Sequence, residues 1–167
     1  MIPGGAASWS FGPGDSQRID EILNNLLYDS NSRCALLVDR AGPLVTTVGE
    51  QPNFDSAAFA SLTAADFSAN DQLATLIGED EFSSLFHQGR KESMYLADVG
   101  GRVILVVLFD SRTTLGLVRI KIKGAVAGLR LVFEDVFGRA ATGKPSAELE
   151  SGFMDEAEDE IDRLFRE

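Results

Sequence analysis

Seven consecutive apolar residues, V-I-L-V-V-L-F from Val103 to Phe109, constrain this chain more than any other feature. The run has strand length but lacks the alternation of a strand that turns one face to water. It predicts a central strand covered on both sides, and therefore a sheet with helices on each face. Phe82 to Gln88 and Glu92 to Val99 read as strands leading into it, and Gly100-Gly101 supplies a tight hairpin turn before the strand Val103 to Asp110. Upstream, the short apolar run Arg33 to Val38, the turn sequence D-R-A-G-P and the β-branched stretch Leu44 to Val48 predict a further hairpin.

Three segments have helical periodicity. From Ser16 to Asp29, Ile19, Ile22, Leu23, Leu26 and Leu27 recur at 3-4 spacing, with Asp15 or Ser16 as cap. Asp55 to Ile77 predicts a second helix, capped by Asp55 or Ser56 and stopped at Gly78. It carries two stripes. Phe59, Leu62, Ala69, Leu73 and Leu76 are expected to face the sheet. Ala58, Ser61, Ala65, Ser68, Gln72 and Thr75 form a small, uncharged stripe beside them, either a plain alanine-rich surface or, as preferred here, a contact face where another backbone can approach. From Thr113 the pattern is double-edged, because Val118, Ile120 and Ile122 alternate with Arg119, Lys121 and Lys123 as in a strand. Val118, Ile122, Ala125, Leu129, Val132 and Val136 continue at helical spacing well beyond Gly124, so a helix from Thr113 or Thr114 to Phe137 is expected, with Gly124 and Gly128 marking close packing on the sheet. The order is α-β-β-α-β-β-β-α, an α/β (α+β) sandwich with a five-stranded, mostly antiparallel sheet between helices.

Composition limits function. At 167 residues and 44% apolar content the chain suits one core. Residues 1–15 read as a flexible lead-in, 16–138 as the domain, and 139–167 as an acidic linker and peptide. Arg139 to Glu167 holds 4 basic and 9 acidic side chains, so it supplies −5 of the net −11. That charge argues against a nucleic-acid partner, since phosphate-backbone affinity comes from Lys and Arg. No apolar run approaches a membrane span, and the opening residues lack a basic leader and long apolar centre, so a cytoplasmic protein without membrane insertion is expected. Cys34, the single cysteine, sits within C-A-L-L-V and reads as a core filler.

Catalytic chemistry is not legible. His87 is the only histidine, no phosphate-wrapping glycine loop or dinucleotide fingerprint is present, and the carboxylates show no distinctive pairing. No catalytic residue, cofactor or metal is expected. Arg90, Arg102 and Arg112 lie near strand ends where an arginine could project toward a phosphate, but each reads as a solvated or paired surface side chain. The cluster Arg119, Lys121 and Lys123 reads as a solvated helix start.

Three runs then carry a resemblance: S-L-T-A-A-D-F-S-A-N-D-Q-L-A-T-L-I-G from Ser61, F-H-Q-G-R-K-E-S-M-Y from Phe86, and V-I-L-V-V-L-F-D-S-R-T-T-L-G-L-V-R-I-K-I-K from Val103. Together with the final E-I-D-R-L-F-R-E, they resemble the MglB-like bacterial gliding regulators of the roadblock/dynein light-chain superfamily. The resemblance implies a homodimer, with possible higher oligomers, that binds the GTP form of a Ras-like small GTPase of the MglA type, stimulates hydrolysis and serves cell polarity and motility, at a cell pole. It further implies subunits joined sheet to sheet through the second strand, with paired second helices forming the GTPase platform and no arginine supplied. By position, Ala65, Ser68, Ala69 and Gln72 become partner contacts, and Ile161, Leu164 and Phe165 a helical face of the terminal peptide. The family pattern has alanine or glycine where this chain has Ser68 and Gln72, so the ridge departs from its usual smoothness at Gln72. The alternatives are a roadblock-type scaffold that binds a GTPase or another partner without stimulating hydrolysis, and a PAS- or GAF-type sensor, which requires an enclosed ligand pocket.

Overall fold

The structure, a computed structural model, describes residues 10–142. Its elements follow the expected order: α1 (Pro13–Ser30), β1 (Cys34–Asp39), β2 (Leu44–Gly49), α2 (Ser56–Leu76), β3 (Ser84–Gln88), β4 (Ser93–Val99), β5 (Val103–Phe109) and α3 (Leu115–Thr142). The strands form one sheet in the order β2-β1-β5-β4-β3, and every pairing is antiparallel. The all-apolar β5 is the middle strand, as its sequence demands: Val103, Ile104, Leu105, Val106 and Val107 are fully buried.

Period-2 alternation divides the core between two faces. Ala35, Leu37, Val103, Leu105, Val107 and Phe109 point toward α1 and α3, where they meet Ile19, Leu23, Leu129, Val132 and Phe133. Leu36, Val38, Leu96, Ile104 and Val106 point the other way and pack on Ala60, Ala64 and Phe67 of α2. Full burial of a side chain such as Leu23 or Leu129 contributes about 1.5–3 kcal/mol over exposure. The hairpin turns are formed as the sequence predicts. Gly100 and Gly101 both adopt positive φ, 65° and 78°, which suits a two-glycine hairpin centre. In the β1–β2 turn the Asp39 carboxylate accepts from the Ala41 N–H at 2.8 Å.

Several details differ from expectation. Helix α1 opens at Pro13, three residues before Ser16, with Gly12 as its cap; Asp15 is its third residue and accepts from the Gly12 N–H at 2.9 Å. Asp15 is also buried and paired with Arg139, so the two helices reach past the expected limits 16 and 138 and tie their ends together. Gly124 contacts nothing where a Cβ would stand, and Gly128 approaches Ile22 of α1, so the two glycines mark an open surface and a helix–helix contact rather than close packing on the sheet. The largest correction concerns α2. Of its expected sheet-facing stripe only Phe59 packs partly on the core; Leu62, Leu73 and Leu76 are 72%, 58% and 83% exposed, and Ala69 is exposed too. The sheet takes Ala60, Thr63, Ala64, Phe67, Asn70 and Ala74 instead. This third set also repeats at 3-4 spacing, and its alanines let the helix lie close to the strands.

Candidate functional site

Helix α2 is held from both ends and from beneath. At its start the Asp55 carboxylate accepts from the Ala57 and Ala58 N–H groups at 3.0 and 3.2 Å, satisfying donors that have no intrahelical partner. At its end Gly78 takes φ 85°, a conformation that stops the helix. Beneath, Arg40 from the β1–β2 turn lies 4.9 Å over the Phe67 ring and reaches Asp71 of α2 and Asp98 of β4, each at 2.6 Å. Burial alone lowers the affinity of Arg40 for its proton, but Asp98 and Asp71 outweigh it and hold the guanidinium above its ordinary value. His87 of edge strand β3 meets Asp66 of α2 at 2.7 Å.

Asp66 and Asp71 are the only charged residues in α2, and both are occupied on its sheet side. The outer face is therefore uncharged. Ala65, Ser68, Ala69 and Gln72, the four contact candidates on this helix, are all exposed there. Beside them stand Leu62, Leu73 and Leu76, with Ile77, 70% exposed, just past the helix end. Sequence reasoning assigned these leucines to the sheet; the signal for the opposite orientation was the alanine set Ala60, Ala64 and Ala74 around the single Phe67. Contiguous exposed apolar residues of this size mark interaction surfaces. Ile161, Leu164 and Phe165 lie outside the described residues.

The remaining candidates fall elsewhere. Arg112 pairs with Asp110 at 3.0 Å and Glu50 at 3.1 Å, and Arg102 stacks 4.5 Å over Phe137; both are occupied within the fold. Arg90 is exposed in the β3–β4 turn. Cys34 is 3% exposed, and its burial pushes the thiol up to about 11, so it stays protonated as a core residue. An apolar recess of 370 Å³ opens at the start of β1, between Cys34, Phe59, Leu108 and the Pro52–Phe54 loop. It lies at one end of the sheet, whereas the centre is filled by Leu36, Leu96, Ile104 and Leu105, none measurably exposed. Among the described residues no three His, Cys, Asp or Glu side chains gather to hold a metal, and no helix is long and apolar enough to cross a membrane.

This architecture has relatives. The Roadblock/LC7 domain family matches residues 18–109. Among solved structures the chain is similar to Myxococcus xanthus MglB, with 46% identity, a TM-score of 0.68, and coverage of 71% of this chain and 96% of that one. The gliding protein MglB from Thermus thermophilus aligns with 28% identity and a TM-score of 0.72 over 81% of this chain and 99% of its own. An MglB with tetrameric arrangement aligns with 29% identity and a TM-score of 0.74 over 79% and 99%. With most of α1 and all of β1 through β5 inside the matched span and the sheet order in place, the chain belongs to the Roadblock/LC7 domain family and is MglB-like within it.

Proposed function

We propose that this chain is a homodimeric activator of a Ras-like small GTPase of the MglA type, acting in cell polarity and motility from the cytoplasm or a cell pole. The observation that carries the reading is the uncharged outer face of α2, where small residues (Ala65, Ser68, Ala69) lie beside exposed leucines in an MglB-like fold. Two such helices side by side bury leucines against each other and leave the small residues as a floor for a third surface. The GTP-bound partner rests on that floor, and its own switch residues are held in the hydrolytic arrangement. Activation is then a matter of positioning, which lowers the barrier without a reactive group from the regulator. The terminal peptide with Ile161, Leu164 and Phe165 acts as an accessory clamp.

The deciding experiment mixes the full chain with its GTP-loaded cognate GTPase and measures phosphate release. Acceleration above the intrinsic rate is expected. Binding with an unchanged rate favours the scaffold reading, to which Gln72 lends weight because it interrupts the small floor with a long polar side chain. Absence of binding removes both readings for that partner.

A further inference from the structure

One end of α3 carries a cationic groove that the proposed platform does not use. Arg119, Lys123 and Arg130 project from one side of α3 over the β3–β4 half of the sheet and line a groove of 360 Å³ floored by Tyr95, Ile122 and Val126. All three cations are exposed, and none forms an ion pair within the described residues. The carboxylate lining the groove, Asp98, is already engaged by Arg40 and by the Gly101 N–H. In a chain of net charge −11, three uncompensated cations around one groove call for an acidic occupant.

The chain carries one. Residues 155–162, D-E-A-E-D-E-I-D, hold six carboxylates and no cation, and they follow α3 in sequence. At a helical rise of 1.5 Å per residue, Arg130 lies about 18 Å and Arg119 about 35 Å back along α3 from Thr142, and twelve intervening residues, 143–154, span up to about 40 Å when extended. The whole groove is within reach. We infer that the acidic segment 155–162 docks in cis in the groove of Arg119, Lys123 and Arg130, with Ile161 against the apolar floor. A tail parked there is withheld from other surfaces, so a protein that recruits the tail must first displace it. The inference needs no GTPase: both partners are parts of one chain, and its test stands apart from that of the activation reading.

The test uses the full chain, isotopically labelled, with a nitroxide on Ala157→Cys; Cys34 stays unlabelled because it is 3% exposed and its thiol is raised to about 11. At low salt, amide signals of residues 119–130 and 95–97 should lose most of their intensity. They should recover in about 1 M salt, where charge screening shortens to about 3 Å. Replacing Arg119, Lys123 and Arg130 by Gln should abolish the loss. Because those changes touch a structural helix, Glu156→Gln, Glu158→Gln, Asp159→Asn and Glu160→Gln provide a second set in the tail, with the same expected recovery. Unchanged intensities at low salt, or a loss centred on α2, overturn the proposal. So does a loss seen only when an isotopically unlabelled nitroxide chain is mixed with a labelled chain lacking it, since the tail then docks on a second copy.

Discussion

Gly49 and Gly124 show how unequal two glycines are in one fold. At Gly49 the backbone has φ 94°, and a Cβ would stand 2.5 Å from the Arg33 carbonyl oxygen and 2.6 Å from Leu27. Alanine there must strain the backbone or displace β1, and Gly49→Ala is expected to cost at least about 1–2 kcal/mol. At Gly124 the helix is open and nothing lies within 4 Å, so Gly124→Ala should stabilise by up to about 1 kcal/mol through helix propensity. Denaturant titrations of both variants, with unchanged slopes, measure the two effects; a neutral Gly49→Ala would show that β2 can shift to absorb a methyl. The Gly100-Gly101 turn was legible because two adjacent glycines between apolar runs announce a hairpin. Gly49 was not, because its constraint comes from Leu27 and Arg33, which are brought close only by the fold.

At the scale of the element, β5 and α2 make an instructive pair. Apolar at every position, β5 admits only one reading, a strand covered twice, and it lies in the middle of the sheet. Helix α2 admits two, since its leucines and its alanines both recur at helical spacing. What decides is the narrow space above Leu36, Ile104 and Val106, which Ala60 and Ala64 fit, together with the attachment of Asp66 and Asp71 on the sheet side. Ala65, Ser68 and Gln72 were picked out by their size and by resemblance, and they share the exposed side; the leucines beside them face outward because the sheet accepts the alanine set around Phe67, a choice that spacing by itself leaves open. If this face is the GTPase floor, Ser68→Arg should weaken GTPase binding at least about tenfold, or 1.4 kcal/mol, while sedimentation still reports the dimer. Full affinity with an intact dimer would place the partner on another surface.

The whole molecule is acidic, and several of its arginines tie separate segments together. Arg33 and Arg112 converge on Glu50, joining the start of β1, the end of β2 and the segment after β5. Hydrogen bonds from Arg33 and Arg112 hold Glu50 below its ordinary value of 4.5, and Arg112 holds Asp110 below 3.8. The unfolded chain thus takes up these protons at higher pH than the folded one. The stabilisation is fully present above about pH 5 and is lost as pH falls through the lower folded values. Thermal unfolding followed between about pH 6 and 2 should show a steep acid limb in the native chain and a shallower one in Arg112→Gln. Two limbs of equal slope, merely offset, would show that this cluster does not govern acid sensitivity. Solvent screens such exposed pairs, so both the difference between the two limbs and the stability it represents at neutral pH should be modest.

Arg40 joins a turn, a helix and a strand from the other half of the sheet through one side chain. Beneath α2 it behaves as a keystone does in masonry: of the side chains the helix buries against the sheet cluster, Ala60 and Ala64 are small, and Arg40 grips the third, Phe67, together with Asp71. The seat of the outer surface is thereby fixed from below, by a residue on the opposite side of the helix from any visitor.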